Sequence, residues 1–319
     1  MEGFIDTLNG VIWSNALVYL CLGAGAYFTL VTLFLQIRCL PDMIRQLKSG
    51  ESSEQGISSF QSLMISLAGR VGVGNIAGVA TAIAFGGPGA VFWMWMLALL
   101  GGATSFIEST LAQLWKTKDA EGNYHGGPAY YMTRGLGWKP LAVIFSALLA
   151  ITYGFVYNAI QTNSIAESVS GSLDNDSTTV KAVVAAVIAL LTAAVIFGGV
   201  TRIASLTQVI VPFMAGAYIL LGIAVLIINW REIPGMFELI VGHALGLKQV
   251  AGAGVGAAFT QGMRRGLFSN EAGMGSAPNA AATATVSHPV KQGLVQTLGV
   301  YFDTLLVCSI TAFVVLLGP

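Results

Sequence analysis

Apolar runs of about 20 residues, the length that crosses ~30 Å of hydrocarbon, recur along the chain. They cover residues 11–37, 59–85, 90–115, 140–169, 180–197, 203–229, 251–278 and 293–317. Polar connections separate them: 38–57 with Arg38, Arg45 and Lys48, 116–139 with Lys116, Lys118, Arg134 and Lys139, and an acidic tip at Asp174-Asn175-Asp176. Residues 230–250 are less apolar and are expected at a membrane interface. The pattern predicts an all-α integral membrane protein of about eight spans.

Two runs break their own helical pattern. In the second, Gly72, Gly74, Asn75 and Gly78 are poor helix formers at mid-membrane depth, so the backbone is expected to unwind there. In the seventh, Gly252, Gly254, Gly256, Gly262, Gly266, Gly273 and Gly275 repeat the feature. Two Gly-interrupted spans, five apart and running in opposite senses, are the pattern of an inverted-repeat transporter core with two discontinuous helices. The chain 1–319 then reads as one transmembrane domain: an extra N-terminal helix (11–37), a first five-helix repeat (59–229) and an incomplete second repeat (251–319). On that reading about three spans, the C-terminal part of the second repeat, are missing.

Composition sharpens the class. The chain is 55% hydrophobic and 9% charged with mean hydropathy +0.75, far from the ~25% charged residues of soluble domains. Zero net charge speaks against nucleic acid as a partner. Cys21, Cys39 and Cys308 show no disulfide or metal spacing and read as packing residues, and the N-terminus lacks the basic region of a signal peptide. Nine Lys and Arg fall in the loops after spans one, three, five and seven and three in the others, which places the N-terminus outside.

The chemistry sits at the breaks. The N–H groups of Val73, Gly74 and Asn75, following Gly72, are placed to bind a carboxylate, and carbonyls such as those of Ala68 and Val71 to ligate a hard cation. The competing reading is a close helix contact through Gly74 and Gly78. In the seventh span, Phe259, Thr260, Gln261, Gly262 and Met263 offer an apolar wall with few polar anchors. Arg264 and Arg265 fit either that pocket or the charge rule at the cytoplasmic surface. Glu108, Glu271 and Asp303 lie in or near spans, where an unpaired charge costs ~2.5–3.5 kcal/mol. Glu271 has the two arginines near it in sequence, whereas Asp303 has no local basic partner, which leaves a cation or proton role open. His125, His243 and His288 read as solvated loop residues.

At Gly72-Val73-Gly74-Asn75-Ile76-Ala77-Gly78, Gly86-Gly87-Pro88-Gly89, Gly126-Gly127-Pro128-Ala129-Tyr130-Tyr131 and the stretch from Arg265 to Pro278, the chain resembles the alanine or glycine:cation symporter family. The likeness runs along essentially all 319 residues, and more distantly the chain is similar to the leucine-transporter-type fold. The resemblance implies alternating access around a central site. It implies that the Val73 and Gly74 amides hold a substrate carboxylate, that Asn75 and Thr260 serve one sodium ion and Ala68 and Val71 another, and that Tyr157, Asn158, Gln161, Phe259, Gln261 and Met263 wall the pocket.

The function expected is sodium-coupled symport of alanine or glycine across the bacterial plasma membrane, without enzymatic chemistry and with Na⁺ as coupling ion rather than a cofactor. A proton-coupled carrier using Asp303 or Glu271, a channel and an inactive fragment are the alternatives.

Overall fold

The computed structural model describes residues 12–48, 57–120, 122–247 and 252–318, with Gly3, Thr7 and Gly10 in isolation. Position 11, part of the first connection (49–56) and the expected start of the seventh span (251) lie outside the described residues.

Helices follow one another as α1 (Asn15–Val31), α2 (Leu35–Arg38), α3 (Leu40–Lys48), α4 (Ser59–Arg70), α5 (Val73–Gly86) and α6 (Gly89–Leu114). A hairpin, β1 (Thr117–Lys118) and β2 (Tyr124–His125), leads to α7 (Pro128–Arg134) and α8 (Lys139–Ile151). A π-helical turn (Thr152–Val156) joins α8 to α9 (Tyr157–Ser172), and α10 (Thr178–Ile196), α11 (Gly199–Ile228) and α12 (Ile233–Ala244) follow. The last elements are α13 (Gly252–Asn270), α14 (Ser276–Thr283), α15 (Pro289–Val300), a second π-helical stretch (Tyr301–Cys308) and α16 (Ser309–Leu317).

Among the described residues, five helical stretches are long and apolar enough to cross a bilayer, or six if the bent pair α4–α5 is one span. They match the expected third, fourth, fifth, sixth and eighth runs to within a few residues. The apolar surface they leave exposed belongs in lipid: no residue of α10 is buried, and Phe197 and Phe213 are 90% and 78% exposed. The architecture is that of an all-helical, multi-pass membrane protein.

Several expectations change. The first run does not continue to residue 37 as one helix, because Leu33 and Phe34 adopt left-handed φ of 53° and 55° and end it at Val31. Residues 230–250 do more than lie at an interface: α12 buries Met236 and Ile240 against α5, α6 and α16, in a core with Val79, Ala82, Met94 and Phe313. The connection 116–139 is folded. In its hairpin, Asp119 accepts from the Asn123 N–H at 2.8 Å and pairs with His125 at 2.7 Å. The His125 bond, then that of Asn123, holds the Asp119 carboxyl below the usual carboxylate range.

The glycines of α13 between 254 and 266 do not unwind it, and two of them, Gly262 and Gly266, let it approach α6. A Cβ on Gly262 would stand 2.4 Å from the Ala90 carbonyl oxygen, and one on Gly266 2.9 Å from Leu97. Gly262→Ala is therefore expected to destabilise the detergent-solubilised protein by about 1–3 kcal/mol, the usual overpacking cost. Thermal unfolding checks it, and an unchanged midpoint would contradict this packing.

Candidate functional site

The first break falls at Val71–Gly72, between α4 and α5, which meet at a 42° bend. Its cause is local: the N–H groups that would continue α4 onto the Ala68 and Gly69 carbonyls are turned elsewhere. Gly72 N–H donates to Asn75 Oδ1 at 2.9 Å, and Val73 N–H donates to Gln161 Oε1 at 3.1 Å. The second break is at Glu271–Gly275, later in the seventh run than the glycines at 252–266. Glu271 takes φ 53°, Gly273 85° and Gly275 83°. Two side chains hold it open: Glu108 Oε1 accepts the Gly273 N–H at 3.2 Å, and Asn270 Oδ1 accepts the Ala272 N–H at 3.0 Å.

The breaks meet through one buried polar knot. Asn75 is fully buried, and because its Oδ1 takes the Gly72 N–H, its Nδ2 is free to donate. Nδ2 reaches Ser269 Oγ at 3.1 Å and forms a short bond to Asp303 Oδ1. Ser269 and Thr304 each donate to Asp303 Oδ2 at 2.8 Å, and Cys308 Sγ lies 3.1 Å from Ser269 Oγ. The Asp303 carboxylate thus accepts from three side chains on three elements and ties the start of α5 to the end of α13 and to the second π-helical stretch.

Arg70, the last residue of α4, is 2% exposed, and its Nη1 donates to the Gln296 carbonyl at 3.4 Å. Nε and Nη2 have no hydrogen-bond partner among the described residues. Among the described residues no carboxylate lies within 4 Å of it, so any attraction to the buried Glu108, Glu271 and Asp303 acts from beyond ion-pair distance. Neither Arg264 nor Arg265, expected near Glu271 from sequence, forms an ion pair with it among the described residues. Glu271 Oε2 receives a short bond from Ser276, while Oε1 has no partner among the described residues and its side chain lines a cavity of about 310 Å³ with Ser66 and Tyr153.

The expected residues divide into two groups. Gly72, Val73, Gly74, Asn75, Gln161 and Tyr157 gather at the first break: Gly74 faces the Phe268 ring, and Tyr157 packs between Tyr153 (4.6 Å) and Phe268 (5.3 Å). Gln261 and Val73 line a cavity of about 510 Å³ beside it. The others lie apart. Asn158 folds its amide back onto the carbonyls of Tyr153 and Gly154, both at 3.1 Å. Phe259 stacks edge-on with Trp93 at 5.0 Å, and Met263 is buried beside Val18, Leu97 and Leu267. Gly262 is spent on the contact with α6. Thr260 stands nine residues before Ser269, about 13 Å along the same helix, so the hydroxyl beside Asn75 is that of Ser269. Ser269, Thr304 and Arg70 escape a reading by local pattern; the signal that marks them is a polar side chain in an apolar run.

Comparison with known proteins agrees with this architecture. The family model described as "Sodium:alanine symporter family" matches residues 1–319. The amino-acid carrier protein AlsT of Bacillus subtilis is 51% identical over 99% of this chain and 68% of its own length. A second B. subtilis protein, provisionally named a sodium/proton-dependent alanine carrier, YrbD, is 51% identical over 99% of the chain and 64% of its own length. The sodium/alanine symporter AgcS of Methanococcus maripaludis is 43% identical over 97% and 69%. The chain thus spans about two thirds of the length of these relatives. Matched by that model from its first residue to its last, and half identical to carriers of this kind, the chain belongs to the sodium:alanine symporter family.

Proposed function

We propose that the chain carries the substrate and ion site of a sodium-coupled symporter of alanine, with glycine as a second substrate, in a bacterial plasma membrane. The observation that carries this reading is the first break: a helix N-terminus whose Val73 N–H points at an amide oxygen, that of Gln161, where a substrate carboxylate oxygen would sit. Gln161 then gives way to the substrate and can turn its own amide donor to it. Tyr157 and Phe268 form the apolar wall for a small side chain. The Ala68 and Gly69 carbonyls, released from the helical ladder, are hard-cation ligands. Gly69, just before the first break, and Glu271, at the second, line one cavity of about 310 Å³, which suits alternating access by an inverted repeat.

The test is uptake of radiolabelled alanine into proteoliposomes. An inward Na⁺ gradient is expected to drive accumulation that collapses when choline replaces Na⁺, with glycine competing. Equal uptake in choline would overturn sodium coupling. One observation favours a second reading: Glu271 lines a cavity beside Tyr153, and among the described residues no hydrogen bond reaches its Oε1, a suitable proton acceptor. That reading requires uptake in choline driven by an inward proton gradient and abolished by Glu271→Gln.

A further inference from the structure

Arg264 and Arg265 are not at the end of their helix. They lie one to two turns before the second break, inside the 510 Å³ cavity shared with Trp13, Thr81, Ile160 and Phe268. Arg264 Nη2 donates to the Trp13 carbonyl at 2.5 Å, and its Nε is buried without a partner among the described residues. Neither guanidinium has an ion-pair partner among the described residues, and no carboxylate is among the cavity's lining residues. Two like charges on adjacent residues repel each other, and among the described residues no carboxylate neutralises them. A cleft lined by one sign of charge and walled by low-dielectric side chains concentrates ions of the other sign.

We propose that this cavity is an antechamber: a second site that captures the carboxylate of a small amino acid before it reaches the first break. The planar guanidinium fork matches a carboxylate. Trp13 and Ile160 supply an apolar wall for the rest of the molecule. Val73 and Gly78 line the same cavity, so a carboxylate released by the arginines is already at the N-terminus of α5. The antechamber rests on the amino-acid carrier reading for the identity of its ligand, though not for its affinity for anions.

Thr81 lies in the same cavity and provides the reporter. In a Thr81→Cys protein, with the unsubstituted chain correcting for Cys21, Cys39 and Cys308, an anionic sulfonatoethyl thiol reagent is expected to react about ten-fold faster than a cationic trimethylammonium-ethyl one, after normalisation to a free thiol. Adding Arg264→Gln and Arg265→Gln is expected to erase that preference, and alanine to slow the anionic reagent saturably where equal sodium chloride does not. Should the double variant fail to fold, Arg264→Lys with Arg265→Lys is expected to keep the preference and weaken alanine protection, because charge remains and the fork is lost.

A preference that survives removal of both arginines would overturn the site. Equal protection by chloride would overturn the carboxylate assignment in favour of an inorganic anion. Uptake by the same preparations separates the two claims. Na⁺-driven uptake with no effect of the arginines on reagent preference refutes the antechamber alone. Absent uptake with intact preference and alanine protection refutes the carrier reading alone.

Discussion

Asp303→Asn is expected to reduce Na⁺-driven alanine uptake to background and to destabilise the protein by about 2–6 kcal/mol. The carboxylate accepts from Asn75, Ser269 and Thr304. An asparagine keeps one acceptor oxygen, and the Ser269 and Thr304 hydroxyls can turn to accept from its NH₂, but about two hydrogen bonds lose their charged acceptor at ~1–3 kcal/mol each. The loss reaches function because Asn75 also holds the Gly72 N–H, and with it the shape of the first break. Thermal unfolding and proteoliposome uptake read the two effects separately. Asp303→Glu keeps the charge and is expected to retain more stability than Asp303→Asn. An asparagine variant as stable and as active as the parent would show that the knot does not hold the break.

Arg70→Gln is expected to destabilise the protein by about 1–3 kcal/mol, because it removes a buried cation that attracts buried carboxylates from beyond ion-pair distance. The loss leaves Glu108, Glu271 and Asp303, none of which has an ion pair among the described residues, with less positive charge around them. The cost is not that of a hydrogen bond, since Nη1 makes only a long contact to the Gln296 carbonyl. A double-mutant cycle with Glu271→Gln isolates the electrostatic part. If Arg70 acts through charge, removing one anion restores some of the loss, a coupling of about 0.5–3 kcal/mol. Additive effects of the two substitutions would mean that Arg70 acts through packing alone. Arg70→Lys is expected to fall between, retaining the charge but not the planar fork.

Five apolar stretches were legible in the chain to within a few residues because the signal is local: a bilayer demands a continuous apolar run, and composition alone supplies it. The first break was legible for the same reason, since Gly72, Gly74 and Asn75 lower helix propensity wherever the chain goes. The second was legible only in part. Gly262 and Gly266 look like Gly273 and Gly275 in sequence, yet the former pack α13 on α6 and the latter turn the backbone, and the partner helix decides which. The start of α5 declares itself as a donor of N–H groups before any fold is known. What receives those groups does not, because the partners are remote: Gln161 lies 88 residues from Val73, and Ser269 and Asp303 lie 194 and 228 residues from Asn75. Choosing Ser269 over Thr260 requires the sliding register between α5 and α13, set by contacts such as that of Gly86 with Gln261. The same holds for charge. Sequence proximity points Glu271 to Arg264 and Arg265, but Coulombic attraction follows distance in space, and the fold leaves the two arginines facing a cavity, without an ion pair to Glu271 among the described residues.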